Sequence, residues 1–264
     1  MIIHILTPVI AMAALGLIFG LGLAYALKIF GIQIDPKAAL IIARLPGANC
    51  GACGKAGCAG FAEALVNGEA IPSSCVVSNE EARKSIAELL GIEHNVKIKT
   101  IATLICKGGV NAKDKFVYKG IKGCKAAMLT FGGQKVCKYA CVGFGDCAIV
   151  CPFDAIIMGP DNLPHIDADK CTACGKCVHI CPKKVLTLTP VDKIFHIGCN
   201  SNDKGADVVK ACKIGCIACG KCKKACPVNA IIIENNLAKI DYNICKNHGK
   251  CFEVCPMHTI YKRV

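Results

Sequence analysis

The chain opens on an unbroken apolar run. From Ile5 to Leu27 there is no charged residue over 23 positions. As an α-helix this run is about 34 Å long, enough to cross a hydrocarbon core of about 30 Å, so the pattern predicts a membrane-spanning helix. A cleaved signal sequence is the rival reading, and Ala24-Tyr25-Ala26 has the form of a cleavage site. Against it, no Lys or Arg precedes the run, which also exceeds the usual length of a signal core. Lys28, Lys37 and Arg44 follow it, which places the remainder on the cytoplasmic side of a cell membrane. Gly16, Gly20 and Ala24 form a small-residue stripe that lets a neighbouring helix approach closely.

Beyond the run the pattern breaks into short elements. Gly60 to Val66 reads as a helix, and Ser78 to Leu90 as another, with Ser78 and Glu81 spaced as a capping box. Val96 to Ile105 alternates as a strand and ends at Cys106, and the stretch from Lys107 to Lys125 reads as a basic, Gly-containing connection. An internal repeat follows. Cys151-Pro152-Phe153-Asp154-Ala155-Ile156 matches Cys226-Pro227-Val228-Asn229-Ala230-Ile231, and Cys181-Pro182 matches Cys255-Pro256, a period of 74 to 75 residues. In each unit two short apolar runs flank a turn, Gly159 to Asn162 or Asn235-Asn236, which predicts a hairpin. The expected fold class is α+β, in five parts: a transmembrane anchor (1–34), a four-Cys domain (35–95), a connecting segment (96–136), and two tandem modules (137–190 and 191–264).

Composition sharpens this picture. Of 264 residues 23 are Cys and 5% are aromatic, so the pieces are too poor in ring surface for one large conventional core. The Cys lie in tight C-x-x-C runs that suit a shared metal centre better than disulfides, which excludes a secreted disulfide scaffold. The formal net charge is +13. Each oxidised [4Fe-4S] core with four thiolates adds about −2, so six of them leave a balance of about +1, and nucleic acid drops out as an expected partner.

Cys171, Cys174, Cys177 and Cys181-Pro182 form the C-x2-C-x2-C-x3-C-P run of bacterial iron–sulfur proteins, as do Cys216, Cys219, Cys222 and Cys226-Pro227. Three Cys at steps of three wrap a loop around one corner of a cubane, and the fourth points away to a neighbouring cluster. Zinc prefers two separated C-x2-C pairs. Cys50, Cys53, Cys58 and Cys75 fit a separate [4Fe-4S] site. Cys106, Cys124, Cys137, Cys199 and Cys212 remain outside these runs.

The two modules resemble two-cluster bacterial ferredoxins. That resemblance implies that Cys151 joins Cys171, Cys174 and Cys177, and that Cys181 joins Cys141 and Cys147. The fourth corner of the latter set falls on Phe144. In the second module it implies that Cys255 joins Cys216, Cys219 and Cys222, and that Cys226 joins Cys245 and Cys251, with His248 at the remaining corner. His248 is expected either as an imidazole ligand that raises the potential or as a bystander to a three-Cys [3Fe-4S] site. One of Cys124 or Cys137 is expected to replace Phe144. The other would join Cys106, Cys199 and Cys212 in an additional cluster, the alternative being buried structural thiols. The cofactor expectation is five [4Fe-4S] clusters, and six if that set converges.

The stretch Leu45 to Gly51, with Ala59-Gly60-Phe61-Ala62, looks like the small iron–sulfur domain of the B-subunit family of the Rnf complex. The order of anchor, this domain and ferredoxin modules is similar to that family over essentially the whole chain. Cys141-Val142-Gly143-Phe144-Gly145-Asp146-Cys147 looks like its long form, while His248 departs from its all-Cys pattern. The resemblance implies an electron carrier within an ion-translocating ferredoxin:NAD oxidoreductase. Its partners would be reduced ferredoxin and the complex's other membrane and cytoplasmic subunits. Lys213, Lys221, Lys223, Lys224, Lys246 and Lys250 offer a basic face to an acidic donor. The chain shows no G-x-G-x-x-G fingerprint, no P-loop and no nucleophile–base pair, so no catalytic residue is expected. Competing readings are a polyferredoxin component of another membrane complex, such as a hydrogenase, and a structural or sensing metal protein.

Overall fold

The computed structural model describes residues 2–30, 35–93 and 98–263. The expected boundaries at 34 and at 95–96, and the first two residues of the predicted strand from Val96, lie outside the described residues.

Helix α1 (Ile2–Phe30) spans 29 residues, and no side chain of its most apolar window, Met12–Ile29, is buried inside the protein. Length and composition suffice to cross a membrane. Phe19, Leu21 and Tyr25 point outward with about two-thirds of their surface free (68%, 66% and 69%), which only an apolar surrounding makes favourable.

The small domain follows. Asp35 caps α2 (Pro36–Ile42) by accepting the Lys37 amide at 2.7 Å, with Pro36 at the first helical position. Then come α3 (Gly57–Val66) and α4 (Glu80–Leu90), packed around Ala38, Ile41, Phe61, Ala62, Leu65 and Ile86. Burial of Phe61, Ile41 and Ile86 contributes about 1.5–3 kcal/mol each. The cap of α4 differs from expectation. Asn79, not Ser78, accepts the Ala82 amide at 2.8 Å, and the Ser78 hydroxyl instead donates to Cys75 Sγ at 3.1 Å. Asn competes well with Ser at this position, and the nearby thiol captures the hydroxyl.

Module one contains β1 (Thr100–Leu104), α5 (Cys124–Leu129), α6 (Asp146–Ile149), β2 (Ile156–Met158), β3 (Pro164–Ile166), α7 (Lys176–Ile180) and β4 (Leu186–Pro190). Strands β2 and β3 form the expected hairpin, Ile156 opposite Ile166. Strand β1 pairs antiparallel with β4, from Thr100 opposite Pro190 to Leu104 opposite Leu186, and buries Ile101, Ala102 and Leu104 in the module core. The start of the stretch read as a connecting segment is thus an outer strand of module one.

Module two repeats the plan with β5 (Phe195–Ile197), α8 (Gly205–Ala211), α9 (Lys221–Ala225), β6 (Ile231–Glu234), β7 (Leu237–Ile240), α10 (Lys250–Glu253) and β8 (Ile260–Lys262). Strands β6 and β7 turn through Asn235 and Asn236, both at positive φ (48° and 60°), the geometry that tight hairpins favour. Strands β5 and β8 pair outside them. The end of β8 ties the modules together: Tyr261 Oη donates to the Leu104 carbonyl at 2.6 Å. Arg263 donates to the hydroxyls of Thr103 (3.1 Å) and Thr189 (2.8 Å) and to His196.

Candidate metal centres

The ligand loops share one backbone. In 171–177, 216–222, 245–251 and 141–147, a positive-φ residue (Ala173, Ala218, Asn247, Gly143) and a positive-φ glycine (Gly175, Gly220, Gly249, Gly145) flank one central residue. The glycine stands immediately before a one-turn helix that carries the next Cys. The central residues are Cys174, Cys219, His248 and Phe144. The fold therefore presents His248 and Phe144 where the other loops present a thiol.

Cys151, Cys171, Cys174 and Cys177 line one cavity. Cys124, Cys141, Cys147 and Cys181 line a second, so Cys124 at the start of α5 shares the cavity of the set whose loop carries Phe144. In module two, Cys216, Cys219, Cys222 and Cys255 line a third, and Cys226, Cys245, Cys251 and His248 a fourth. Cys106, Cys137, Cys199 and Cys212 line a fifth between the modules. The five are alike in size, and each opens partly to solvent. Among the described residues no three His, Cys, Asp or Glu close on a single point. Zinc needs about four donors near 2.3 Å of one ion, whereas thiols arrayed around a cavity suit a multi-iron core, so the donor chemistry fits [4Fe-4S] groups.

In the small domain Cys53, Cys58 and Cys75 pack on the apolar core. Asn49 fixes the loop, its side-chain oxygen accepting the Cys58 amide at 2.8 Å. A Cβ at Gly57 would stand 2.8 Å from that oxygen, so glycine is required there.

Electrostatics report which sets are neighbours. As free thiols, Cys141 and Cys177 are pushed up to about 12 and Cys147, Cys199 and Cys222 to about 11, by burial first. Other cysteines then add to the shift: Cys106 for Cys141, Cys171 and Cys174 for Cys177, Cys124 and Cys181 for Cys147, and Cys216 for both Cys199 and Cys222. Burial likewise raises Cys174, which also feels Cys50 of the small domain. Such thiols keep their protons at neutral pH until a metal displaces them. Backbone amides are already aimed at sulfur: Ala102 to Cys171 at 3.4 Å, Cys141 to Cys106 at 3.4 Å, and Ala230 to Cys226 at 3.3 Å. The cysteine sets thus form one series. The Cys141 amide donates to Cys106 Sγ and the Cys216 amide to Cys199 Sγ, Cys147 acts on Cys177 and Cys50 on Cys174 through charge, and the two sets of module two share one core.

Sequence reasoning missed two lysines. Lys135 is buried, its ammonium donating to the carbonyls of Gly109 and Ala112. Lys183 lines the Cys124 cavity and donates to the carbonyls of Gly132 and Lys138. No local pattern separates either from the many solvated lysines.

Three family models match the chain: an Fe-S cluster family over residues 45–77, and 4Fe-4S dicluster domains over 140–185 and 208–256. Cys106, Cys124, Cys137 and Cys199 lie outside all three. The chain is 46% identical to the B-subunit of the Na(+)-translocating ferredoxin:NAD(+) oxidoreductase complex of Acetobacterium woodii, over 97% of this chain and 77% of that protein. It is 43% identical to the B-subunit of the proton-translocating ferredoxin:NAD(+) oxidoreductase complex of Clostridium ljungdahlii, covering 95% and 90%. Against the B-subunit of the ion-translocating oxidoreductase complex of Methanosarcina acetivorans the identity is 39%, covering 98% of each chain. With this coverage, a membrane-length helix, a small iron–sulfur domain and two dicluster modules in the same chain, the protein belongs to the B-subunit family of ion-translocating ferredoxin:NAD(+) oxidoreductase complexes, the Rnf type.

Proposed function

We propose that this chain is the electron-transfer component of a membrane-bound ferredoxin:NAD(+) oxidoreductase, taking electrons from reduced ferredoxin at module two and delivering them beside the membrane anchor to the complex's other subunits. The observation that carries this reading is the continuous series of cysteine sets from His248 and Cys245 at one end to Cys50 at the other. Bound [4Fe-4S] groups supply one-electron chemistry without proton transfer. The residues of the chain hold these groups, order them and set their surroundings. At least five sets are proposed as ligands: the Cys50, Cys171, Cys124, Cys216 and Cys226 sets, the last completed by His248.

Module two suits the entry. Cys219 is exposed, and Cys226, Cys245, Cys251 and Cys255 are only half-buried, whereas Cys141, Cys147, Cys171 and Cys177 are buried. Lys213, Lys221, Lys223, Lys224, Lys246 and Lys250 are all exposed around it. Such a basic rim speeds encounter with an acidic protein, and salt screens it. The small domain suits the exit, because it follows α1 and its Cys50 is near enough to Cys174 of module one to act on it through charge.

The test adds reduced ferredoxin anaerobically to the full-length protein in detergent and follows the visible iron–sulfur absorption. Bleaching that slows with salt, and slows at low salt when Lys221, Lys223 and Lys224 are changed to Glu, is expected. A coloured protein that ferredoxin does not bleach would sink the reading, and point to another donor or a sensing role.

A further inference from the structure

We infer that Lys183 raises the reduction potential of the centre held by Cys124, Cys141, Cys147 and Cys181, as a positive charge placed where the equivalent turns carry an apolar side chain. The inference rests on the relay reading and deepens it.

The last cysteine of each run in the two modules opens the same short turn: Cys151-Pro152-Phe153, Cys181-Pro182-Lys183, Cys226-Pro227-Val228 and Cys255-Pro256-Met257. The residue that follows has a positive φ in all four, 48° at Asp154, 51° at Lys184, 52° at Asn229 and 48° at His258. The amides of Lys184, Asn229 and His258 each donate back to the carbonyl of their cysteine at 3.2 Å. One backbone therefore places the third residue of each turn. Each lines the same cavity as its own cysteine: Phe153 with Cys151, Lys183 with Cys181, Val228 with Cys226, and Met257 with Cys255. Three of these side chains are apolar and one is charged.

The turn does not need a charge there, and a half-buried ammonium costs desolvation unless it is bonded. Lys183 is bonded: it donates to the Gly132 carbonyl at 2.8 Å and to that of Lys138 at 2.5 Å, which fixes the charge in place. Burial and Lys115 work against that ammonium, and charge on Cys137, Cys106 and Cys181 works for it. Other lysines differ in setting. Lys246 and Lys250 line the cavity of the Cys226 set but are exposed, so water and salt screen them. Lys176 lines the Cys171 cavity from the ligand loop itself. The acidic group at the Cys124 cavity is Asp146, whose two carboxylate oxygens accept the amides of Cys124 at 2.9 Å and Lys125 at 3.2 Å. It is common to every variant below and does not alter the direction of the change.

Reduction adds one electron to such a centre and makes or breaks no bond. A fixed positive charge at the cavity wall favours the more negative, reduced form. The centre is thus easier to reduce than it would be with the methionine that occupies the equivalent place in module two. An electron entering at module two is drawn into module one.

The test uses the full-length protein, purified anaerobically in detergent, and follows its EPR signals through a mediated redox titration with dithionite as the reductant. Lys183→Met removes the charge. Lys183→Gln removes the charge but keeps an amide donor for the two carbonyls, and Lys183→Arg keeps the charge. With iron per chain unchanged, the Met and Gln variants are each expected to shift one component of the titration to lower potential. Lys183→Arg is expected to leave that component where it is in the unmodified protein. A lower Tm with unmoved potentials would mean that Lys183 only ties down the loop, and would overturn the inference. An equal shift in all three variants would overturn it as well. Should Lys183→Met fail to fold, Lys183→Gln decides alone. No ferredoxin enters this titration, so the relay reading is tested separately, by ferredoxin bleaching of the unmodified protein.

Discussion

Lys135 offers the sharpest quantitative test of how the junction is built. Its side chain is only 7% exposed, and its ammonium donates to Gly109 O at 2.9 Å and Ala112 O at 3.1 Å, while Asp114, its ion-pair partner at 3.1 Å, is 52% exposed. Lys135→Met keeps most of the stem volume and removes the charge. The ion pair with a half-exposed carboxylate is worth under about 1 kcal/mol. The two carbonyls are the larger matter, since stripping a buried acceptor of its donor costs about 1–3 kcal/mol. Relief from burying an ammonium offsets part of this, leaving a net loss of about 2–4 kcal/mol. For a chain of this size that is a fall in Tm of about 5–15 °C. Asp114→Asn, which leaves the carbonyl bonds intact, is expected to lower Tm by no more than about 3 °C. The assay is an anaerobic thermal scan at fixed rate, following visible absorption and far-ultraviolet dichroism together, because cluster loss makes unfolding irreversible. If the two variants fall equally, or Lys135→Met does not fall, the carbonyl bonds are not what Lys135 contributes.

Two further outcomes are expected. Replacing His248 by Cys exchanges a neutral imidazole for a thiolate, makes that site one charge more negative, and lowers its midpoint potential by on the order of 100 mV in an EPR redox titration. An unchanged spectrum and potential would mean that His248 is not a ligand. His196 sits fully buried, accepting from Arg263 and bonded to Tyr242 Oη at 2.7 Å, and burial together with the Arg263 charge lowers its pKa to about 4. Its folded value lies below the unfolded value of about 6.5, so the unfolded chain binds the extra proton in between. The stability His196 contributes is complete above about pH 6.5 and is lost as pH falls toward about 4. Thermal scans at about pH 7 and about pH 5.5 are expected to show a larger drop for the unmodified protein than for His196→Gln. Equal drops would show that His196 does not titrate in this window.

The parts of the fold that local chemistry controls were legible along the chain. The membrane-length helix needs only an uncharged run, the hairpins need a turn between apolar strands, and the ligand loops need Cys at steps of three with glycine before the last. Where two local signals compete, reading failed. Ser78 and Asn79 are both good caps, and only the nearby Cys75 thiol decides that Ser78 turns away. β1 was readable as a strand, but its partner β4 lies 86 residues onward, so its place in module one was not.

The sequence alone therefore determined the anchor, the repeat, the Cys runs and the kind of centre they hold, because each is a short-range pattern whose spacing is its geometry. Tertiary structure decided the pieces that depend on distant segments meeting: Cys124 rather than Cys137 beside Cys141, Cys147 and Cys181, the gathering of Cys106, Cys137, Cys199 and Cys212, and the burial of Lys135. A lone cysteine or lysine carries no sign of its neighbours. Its environment is set only when β1 pairs with β4 and β8 locks the second module against the first, bringing residues more than ninety positions apart around one cavity.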